Sequence, residues 1–561
     1  MSSALYAALI GGDPVAAAQA AYEIDQLASA PATDIDVRIY SKDYTSSVSA
    51  NNYLKLSVQM PRLKIPSAQI SWMGCDPIAP MLLACSTTVV PIVVTFSHGT
   101  IRWNGRVLVA HDKLNEDGTE VIECDIVGDL AMLDAITCWP MPFLPIEIQP
   151  SEAVYLGPAI TCIKTMVAEN ALRIQRGWWE FVNLLPELEL TLQSLFGADY
   201  ANAGETFWET VTTPICVVFG DVFNDTSPWV SFTGRMDSCW KLMAQQLKDN
   251  GLYASLDLWL PGDPQPEGIW QPLQAATLVF NVRDYSGVTG PTGTLVDGII
   301  EDAVDLADSL LGDVVRNFLN PMHEYVPPGS NIEIAPVLGV NFVPPWVVFN
   351  GDLDDSGIVS MDVAHHHPLA WNLVIGGRSP QWLNDLLNQT MSWLVDMLML
   401  VVGVTGISGD ILDGILDNVF LAFEVYELTD VRQQMGRFGF PEKFFPCQST
   451  YNLDSLFTAI TSAWDVRGYP SAQVSFINGL GFTLGREVFP GAMASLIRRG
   501  VLFTDYIDNI EIVDDSEHWA KCTVQVGDGR REEAPLQLVQ RKIVEGETAV
   551  NKLFLSPPSG K

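Results

Sequence analysis

Three consecutive histidines are the first residues in this sequence whose spacing could support chemistry. His365, His366 and His367 follow Asp362, and imidazoles and carboxylates are common ligands of divalent metals. Neighbouring residues of a strand point to opposite faces, so at most two of the three imidazoles could reach one ion. Asp362, His365 and His367 are therefore metal-ligand candidates, and the more common alternative is a wet or interfacial strand end before Pro368.

An acidic segment that begins at Asp352 is a second candidate metal site. Asp352, Asp354, Ser356 and Gly357 match positions one, three, five and six of a calcium-binding loop. Position twelve would be Val363, where such a loop places a bidentate glutamate. The pattern therefore favours an acidic turn between strands over a calcium site, and no cofactor is expected.

Catalytic signatures are missing from the sequence. It has no Walker A motif, no Rossmann glycine fingerprint, no nucleophile elbow and no HExxH. Only seven histidines are present to activate a cysteine, and 67 acidic residues offer so many carboxylate pairs that no pair is specific. Sixteen tryptophans are more often core and interface anchors than sugar platforms. A structural or assembly protein is favoured over an enzyme.

The composition excludes several classes of protein. The chain has 561 residues, 48% of them hydrophobic, and a net charge of −36, which opposes nucleic-acid binding as a general role. The longest weakly charged run, 393–409, is too short and too rich in glycine to span a membrane, and the N-terminus lacks the basic start of a secretory signal. Nine cysteines without a CxxC motif argue against a disulfide framework, so we expect small buried thiols.

Two regions of the chain have the same alternating pattern. In the first, an acidic turn at 115–118 precedes a strand in which Ile122, Cys124 and Ile126 alternate with more polar residues. In the second, an acidic turn at 514–517 precedes a similar strand with Cys522, Val524 and Val526. The pattern predicts two related antiparallel β modules, and chance similarity of two hairpins is the alternative.

Helical periodicity appears between the two modules. It predicts helices over 158–174, 238–247 and 295–319. One face of the third helix is acidic, and it presents Asp297, Glu301, Asp305 and Asp308. This face is either a solvated helix surface or a wall that repels an anion.

An apolar segment over 382–423 predicts a helical hairpin hinged at the glycine-containing stretch from Gly403 to Gly409. It either packs inside an oligomer or docks transiently on the host envelope. The overall class is multidomain α+β, with two β-barrel-like modules separated by α/β and helical segments. The division that we predict is a first module over 1–150, an α/β domain over 151–330, a β segment of the second module over 331–380, the helical hairpin over 381–440, and the second module over 441–561.

Five short landmarks occur in order along the chain. They are Trp103-Asn104-Gly105, Cys138-Trp139-Pro140-Met141-Pro142 followed by Leu156-Gly157-Pro158-Ala159, Gly376-Gly377-Arg378-Ser379-Pro380, Arg467-Gly468-Tyr469-Pro470-Ser471-Ala472, and Val526-Gly527-Asp528-Gly529-Arg530. In this order they resemble the minor tail proteins of actinobacterial siphophages, a siphovirus tail-hub family. Each landmark is short, and the order of the five carries the resemblance.

The resemblance implies a non-enzymatic hub at the tip of a long non-contractile phage tail. Such a hub is a homotrimer whose subunits each give two β-barrels to a pseudo-sixfold ring, which would explain the repeated β pattern. The implied partners are the distal tail ring, tip or central-fibre proteins, and the end of the tape measure protein. DNA would be a partner only in transit. The resemblance implies a location in the virion tail after assembly in the host cytoplasm, and it assigns no catalytic residue.

The sequence leaves two other functions open. The first is a tail-associated cell-wall hydrolase, although no spare region of ordinary domain size lies outside the landmarks. The second is a receptor-binding tail protein that stacks host glycans on tryptophan.

Overall fold

The structure is a computed structural model, and its described part covers most of the chain with several gaps. The described residues are 35–96, 101–142, 144, 146–174, 214–218, 220–269, 272–311, 319–322, 334–342, 345–353, 356–376, 423–446, 462, 466, 468–479 and 481–527. Contacts divide the chain into two units: Met1–Asp362 with Ala472–Gly527 and Lys542–Lys561, and Val363–Ser471 with Asp528–Arg541. The predicted five-part division stays a prediction.

The described part is a strand-rich α+β structure, as the sequence predicted. The first elements are β1 (Ile35–Tyr40), β2 (Ser47–Ser49), β3 (Tyr53–Pro61), β4 (Ser67–Met73), α1 (Ala79–Leu83), β5 (Pro91–Phe96), β6 (Ile101–Leu114) and β7 (Glu120–Gly128). We call β1–β7 the first β module. Its strands alternate buried apolar and wet polar residues, as Ile70 and Trp72 do with Gln69 and Ser71 in β4.

A central region with helices and short sheets follows. Its elements are β8 (Ala153–Pro158), α2 (Ala159–Ile174), β9 (Ile215–Val217), β10 (Trp229–Gly234), α3 (Cys239–Asp249), β11 (Leu252–Trp259), β12 (Thr277–Asp284), β13 (Val288–Thr289), α4 (Val296–Leu311) and β14 (Asn341–Phe342). Helices α2 and α3 bury Ile163, Met166, Met243 and Leu247 in one core with the inner residues of β11 and β12. Two helices predicted from periodicity are confirmed here, and the third is confirmed from Val296 to Leu311.

The remaining elements complete a second β module and form a smaller sheet. They are β15 (Val347–Asn350), β16 (Ile358–His366), β17 (Asn372–Gly376), β18 (Phe423–Glu427), α5 (Thr429–Met435), β19 (Glu442–Pro446), β20 (Tyr469–Ile477), β21 (Met493–Arg498), β22 (Val501–Asp514) and β23 (Lys521–Val526). We call β15 and β20–β23 the second β module. In the other unit, β17 pairs antiparallel with β18 and parallel with β19 over a core of Leu373, Ile375 and Val466.

The two β modules share strand order and register. Antiparallel ladders link β4 to β7, β7 to β6 and β6 to β5, and equivalent ladders link β20 to β23, β23 to β22 and β22 to β21. Each long hairpin has one bulge, and the flanking pairs are Val107–Ile126 and Val109–Asp125 in the first hairpin and Ile507–Val526 and Asn509–Gln525 in the second. The residue numbers of the flanking pairs in the second hairpin equal those in the first hairpin plus 400. The two hairpins therefore have the same register around the bulge, and the predicted similarity of the modules is confirmed.

The predicted helical hairpin cannot be compared with the structure over most of its length. Residues 382–422 lie outside the described residues, and Phe423 begins strand β18. Among the residues that the structure describes, no helix is long and apolar enough to span a membrane.

Candidate assembly surface

The two β modules are joined edge to edge. Strand β22 of the second module pairs antiparallel with β3 of the first, from Asn509 opposite Pro61 to Asp514 opposite Leu56. The Tyr53 hydroxyl donates a hydrogen bond of 2.6 Å to the Asp514 carboxylate at the end of this ladder. Because the edges of both modules are satisfied by each other, one continuous sheet runs in the order β20-β23-β22-β3-β4-β7-β6-β5-β1-β2.

One face of this joined sheet packs on the core, and the opposite face is wet. The wet residues alternate with buried ones such as Val58, Ile70, Cys124 and Ile510. We call the wet side the outer sheet face, and its residues are Lys55, Ser57, Gln59, Ser67, Gln69, Ser71, Val109, His111, Lys113, Glu123, Asp125, Gln473, Asn509, Glu511, Val513, Lys521, Thr523 and Gln525. It crosses the boundary between the modules without interruption.

Charges on the outer sheet face balance, although the chain as a whole is strongly acidic. Three lysines face three carboxylates within the defined set, whereas the net charge of the chain is −36. Lys113 forms an ion pair with Glu123, and the His111 imidazole lies 3.5 Å from the Asp125 carboxylate. Gln69 donates a further hydrogen bond of 3.1 Å to Asp125. The remaining members are mostly amides and hydroxyls, so the surface can hydrogen-bond without a strong field.

A buried carboxylate fixes the end of the β6–β7 hairpin. Asp129, directly after β7, is 1% exposed, and it accepts hydrogen bonds from Arg106 at 2.6 Å and from Asn104 at 2.8 Å. The Tyr44 hydroxyl donates a longer bond of 3.4 Å to the same carboxylate. A buried charge is stable only when it is paired and hydrogen-bonded, so this cluster orders the residues around it.

The Trp103-Asn104-Gly105 landmark has a physical basis in this cluster. Asn104 binds Asp129, and Trp103 is 4% exposed. A Cβ atom at Gly105 would lie 2.5 Å from the Val127 carbonyl oxygen and 2.7 Å from the Trp103 ring. Only glycine fits this close approach between β6 and β7.

An ion pair connects the first β module to the central region. Arg102 of β6 contacts Asp263 in the loop after β11 with two nitrogens, at 2.5 and 3.1 Å. One of these nitrogens also donates to the Leu258 carbonyl oxygen at 3.1 Å. The hydrogen bond from the guanidinium lowers the pKa of the Asp263 carboxyl, so the pair stays charged at neutral pH. Two-point contact of this kind fixes orientation as well as distance.

The prediction of an acidic face on α4 is wrong for the first residue of that face, Asp297. Asp297 is fully buried, and it accepts hydrogen bonds from the backbone of Thr292 at 2.9 Å and of Gly293 at 2.7 Å. The carboxylate therefore closes the loop before the helix and does not face solvent. Glu301 is half-buried and has a partner, and the side chains of Asp305 and Asp308 lie outside the described residues.

The candidate metal ligands do not meet at one site in the described residues. Asp352 accepts hydrogen bonds from the backbone of Arg499 at 2.8 Å and of Gly500 at 2.9 Å, so it closes a turn between strands. Asp354 lies outside the described residues. Asp362, His365 and His367 are exposed, and the described ranges contain no group of three His, Cys, Asp or Glu residues that could hold an ion.

Sequence reasoning did not single out Asp129 or the outer sheet face. Asp129 follows Gly128 at the end of a strand, where an acidic residue is typical of an exposed turn. A signal for a buried carboxylate was present in Asn104 and Arg106, two polar residues on one predicted strand. Polar side chains that are buried on a strand need hydrogen-bond partners. The outer sheet face depends on pairing between β22 and β3, which local pattern does not reveal.

Several solved structures are similar to this chain at low sequence identity. A tail protein from Neisseria meningitidis MC58 has 10% identity and a TM-score of 0.36, covering 90% of this chain and 99% of that one. The 43 kDa tail protein of prophage MuSo2 from Shewanella oneidensis has 9% identity and a TM-score of 0.38, covering 89% and 99%. The comparison with curated proteins gives no match.

A family model gives the identification. The model described as Siphovirus ReqiPepy6 Gp37-like protein matches residues 36–528, a range that includes both β modules and the central region. The match confirms the siphovirus tail family expected from the five landmarks. The chain belongs to the family of siphovirus ReqiPepy6 Gp37-like proteins.

Proposed function

We propose that the protein is a structural hub at the tip of a siphovirus tail. Three copies form a ring in the virion, after assembly in the host cytoplasm. The ring joins the distal tail ring to the tip or central-fibre proteins and closes around the end of the tape measure protein. DNA passes through it without specific binding, and the chain has no catalytic role.

The observation that carries this proposal is the pair of β modules in one subunit. They share ladder order, bulge position and register, and they are fused through β22 and β3. Three such subunits present six similar modules around one axis, so a ring with threefold symmetry can fit a sixfold tube on one side. The other side keeps the threefold symmetry for a fibre. Duplication within the chain therefore acts as a symmetry adaptor.

We further propose that the outer sheet face lines the DNA path. Phosphates bind clustered lysines and arginines by releasing counterions, so a basic wall would hold DNA in the channel. The outer sheet face has balanced charges and many amides and hydroxyls. Of its three lysines, Lys113 forms an ion pair with Glu123. The acidic face of α4, one candidate for such a wall, supports this role less well, because its first residue, Asp297, is buried.

Location in the virion tests the hub. Immunogold labelling of a tagged chain on intact phage should place gold at the distal end of the tail. Gold along the tail tube or at the head junction would contradict the proposal.

Charge variants test the DNA path. The double substitution Gln59→Arg with Gln69→Arg adds two cations per subunit to the outer sheet face, and it should slow DNA ejection from assembled virions in a salt-dependent way. The matched variant Gln59→Glu with Gln69→Glu should leave the ejection rate close to that of the wild type. Equal ejection rates of the arginine and glutamate variants would contradict a lumen position for this face.

A further inference from the structure

A cleft of about 650 Å³ lies inside the larger unit, away from the outer sheet face. It is bounded by the first β module, the β11–β12 hairpin and the second β module. Clefts of roughly 300–1,000 Å³ with aromatic walls and a few convergent polar groups are the usual form of small-ligand sites. The proposed hub role gives this cleft no task.

Strand alternation makes the β11–β12 hairpin the floor of the cleft. Leu256 and Phe280 point into the core of the central region. The residues of the opposite face line the cleft, and they are Tyr253, Ser255, Asp257, Arg283 and Tyr285. Tyr253 pairs with Arg283 across the two strands, so hydroxyl, carboxylate and guanidinium groups occupy one surface.

Aromatic rings form one wall. Trp346 is 43% exposed, and its ring meets Tyr285 and Phe489 edge to face at 6.4 and 5.4 Å between centroids. Tyr285 in turn stacks on Tyr253 at 5.9 Å. A tryptophan that is held by its neighbours yet exposed in a cleft presents a flat apolar surface at little cost in side-chain entropy.

The charged groups of the cleft compensate one another. Arg102 is paired with Asp263, and the Arg486 guanidinium lies 3.4 Å from Glu487. Arg283 lies near Asp257 and interacts with it electrostatically. Arg102 and Arg486 thus each have a carboxylate partner, and Asp257 offsets part of the charge of Arg283. This balance disfavours a strongly anionic ligand and leaves planar hydrogen-bonding groups for a neutral one.

Asp257 and Trp103 add hydrogen-bonding capacity. The Asp257 carboxylate is exposed in the cleft and accepts a hydrogen bond of 2.9 Å from the Ser255 hydroxyl. The Trp103 indole N–H, on another lining residue, is buried and has no partner within the described part of the chain.

We propose that this cleft binds a neutral oligosaccharide. A sugar ring would lie with its C–H face on Trp346, and its hydroxyls would hydrogen-bond to Asp257 and Arg283. A flat apolar face edged with hydroxyls is the chemistry that matches an exposed indole beside charge-balanced polar groups. The inference does not depend on the hub role, because a monomeric chain would hold the same cleft.

Calorimetric titration of the full chain tests the proposal. The probes are the neutral oligosaccharides N-acetylchitotetraose, cellotetraose and maltotetraose, with tetragalacturonate as the anionic comparison. At least one neutral probe should bind. Trp346→Ala should weaken that binding by about tenfold or more, because it removes the stacking surface. The isosteric Asp257→Asn should weaken it as well, because it replaces a charged two-oxygen acceptor by a neutral amide with one acceptor oxygen. Trp519→Ala is the matched control, since Trp519 is 71% exposed and does not line the cleft, and it should leave the affinity unchanged.

Three results would overturn the proposal. The first is no binding of any neutral probe at millimolar concentration. The second is binding that neither Trp346→Ala nor Asp257→Asn alters while both variants keep the circular dichroism spectrum of the wild type. The third is polypeptide density of a neighbouring tail protein in the cleft of the assembled virion, which would make the site a protein contact.

Discussion

At the residue scale, Asp129 is a buried carboxylate that ties together the end of the β6–β7 hairpin in the first β module. Its carboxylate is buried and bound by Arg106 and Asn104. Asp129→Ala leaves the Arg106 guanidinium without its partner, and we expect the free energy of unfolding to fall by about 3 kcal/mol. Urea denaturation measures the loss, and hydrogen exchange should show it first in β6 and β7.

A surface ion pair provides the control for this prediction. Arg38 and Asp36 lie 2.7 Å apart, close to the 2.6 Å between Arg106 and Asp129, but their side chains are 48% and 33% exposed. Asp36→Ala should cost less than about 1 kcal/mol, because water solvates both charges when the pair is broken. Equal losses for Asp129→Ala and Asp36→Ala would show that the Asp129 cluster does not stabilise the module.

Glu169 of α2 gives a prediction with a pH dependence. Burial raises the pKa of its carboxyl above the ordinary value, although the Tyr155 hydroxyl donates a hydrogen bond of 3.5 Å to it. A carboxyl whose folded-state pKa is raised destabilises the fold once it is ionised, and it has no such effect at a pH where both states are protonated. Glu169→Gln should therefore raise the melting temperature at pH 7.

The gain from Glu169→Gln should shrink as the pH falls from the raised pKa of the folded state toward the ordinary value of 4.5, and it should be absent below that value, because the wild-type carboxyl is then neutral in both states. Thermal melts of both proteins across this range measure the difference. Glu267→Gln, at an exposed loop position of the same region, is the control and should give no comparable trend, because water solvates the Glu267 carboxylate in the folded protein. A gain that is constant with pH would contradict the burial argument.

At the element scale, local pattern predicted the hairpins and helices because each has one apolar face. Helix α2 begins at Ala159 after Pro158, and α3 begins after Ser238, as their sequence signals indicated. The stripe of α4 was only partly predictable, since Asp297 has the helical spacing of a solvated face but caps the preceding loop. Hydrophobic periodicity predicts which side of a helix a residue lies on. It does not predict which backbone groups of another segment will bind that residue.

Ser238 offers a direct test of a helix start. Its hydroxyl oxygen accepts a bond of 3.2 Å from the Lys241 backbone N–H, and it donates one of 2.7 Å to Asp134. Ser238→Ala should lower the free energy of unfolding by about 1 kcal/mol, because the first turn of α3 loses its cap. Ser47→Ala, at an exposed strand position, should change it by less than about 0.5 kcal/mol. Equal effects in urea titrations would contradict the capping role.

At the scale of the whole molecule, the sequence predicted two modules but not how they meet. The ladder between β22 and β3 joins residues more than 400 positions apart, and the cleft draws Tyr253, Trp346 and Phe489 from three regions. No local period encodes such distant pairing, because it depends on which strand edges remain unpaired after each module folds. The repeated alternating pattern predicted the duplication, and the ordered landmarks predicted the family.

The most direct test of the hub is the mass and shape of the purified chain. The duplicated modules give the subunit the means to form a ring of three, so light scattering at two concentrations should give about three times the 61.6 kDa of one chain. Negative-stain class averages of the same sample should show a ring with six lobes. A stable ring of another subunit number, or three subunits without six similar lobes, would contradict the proposed symmetry adaptor.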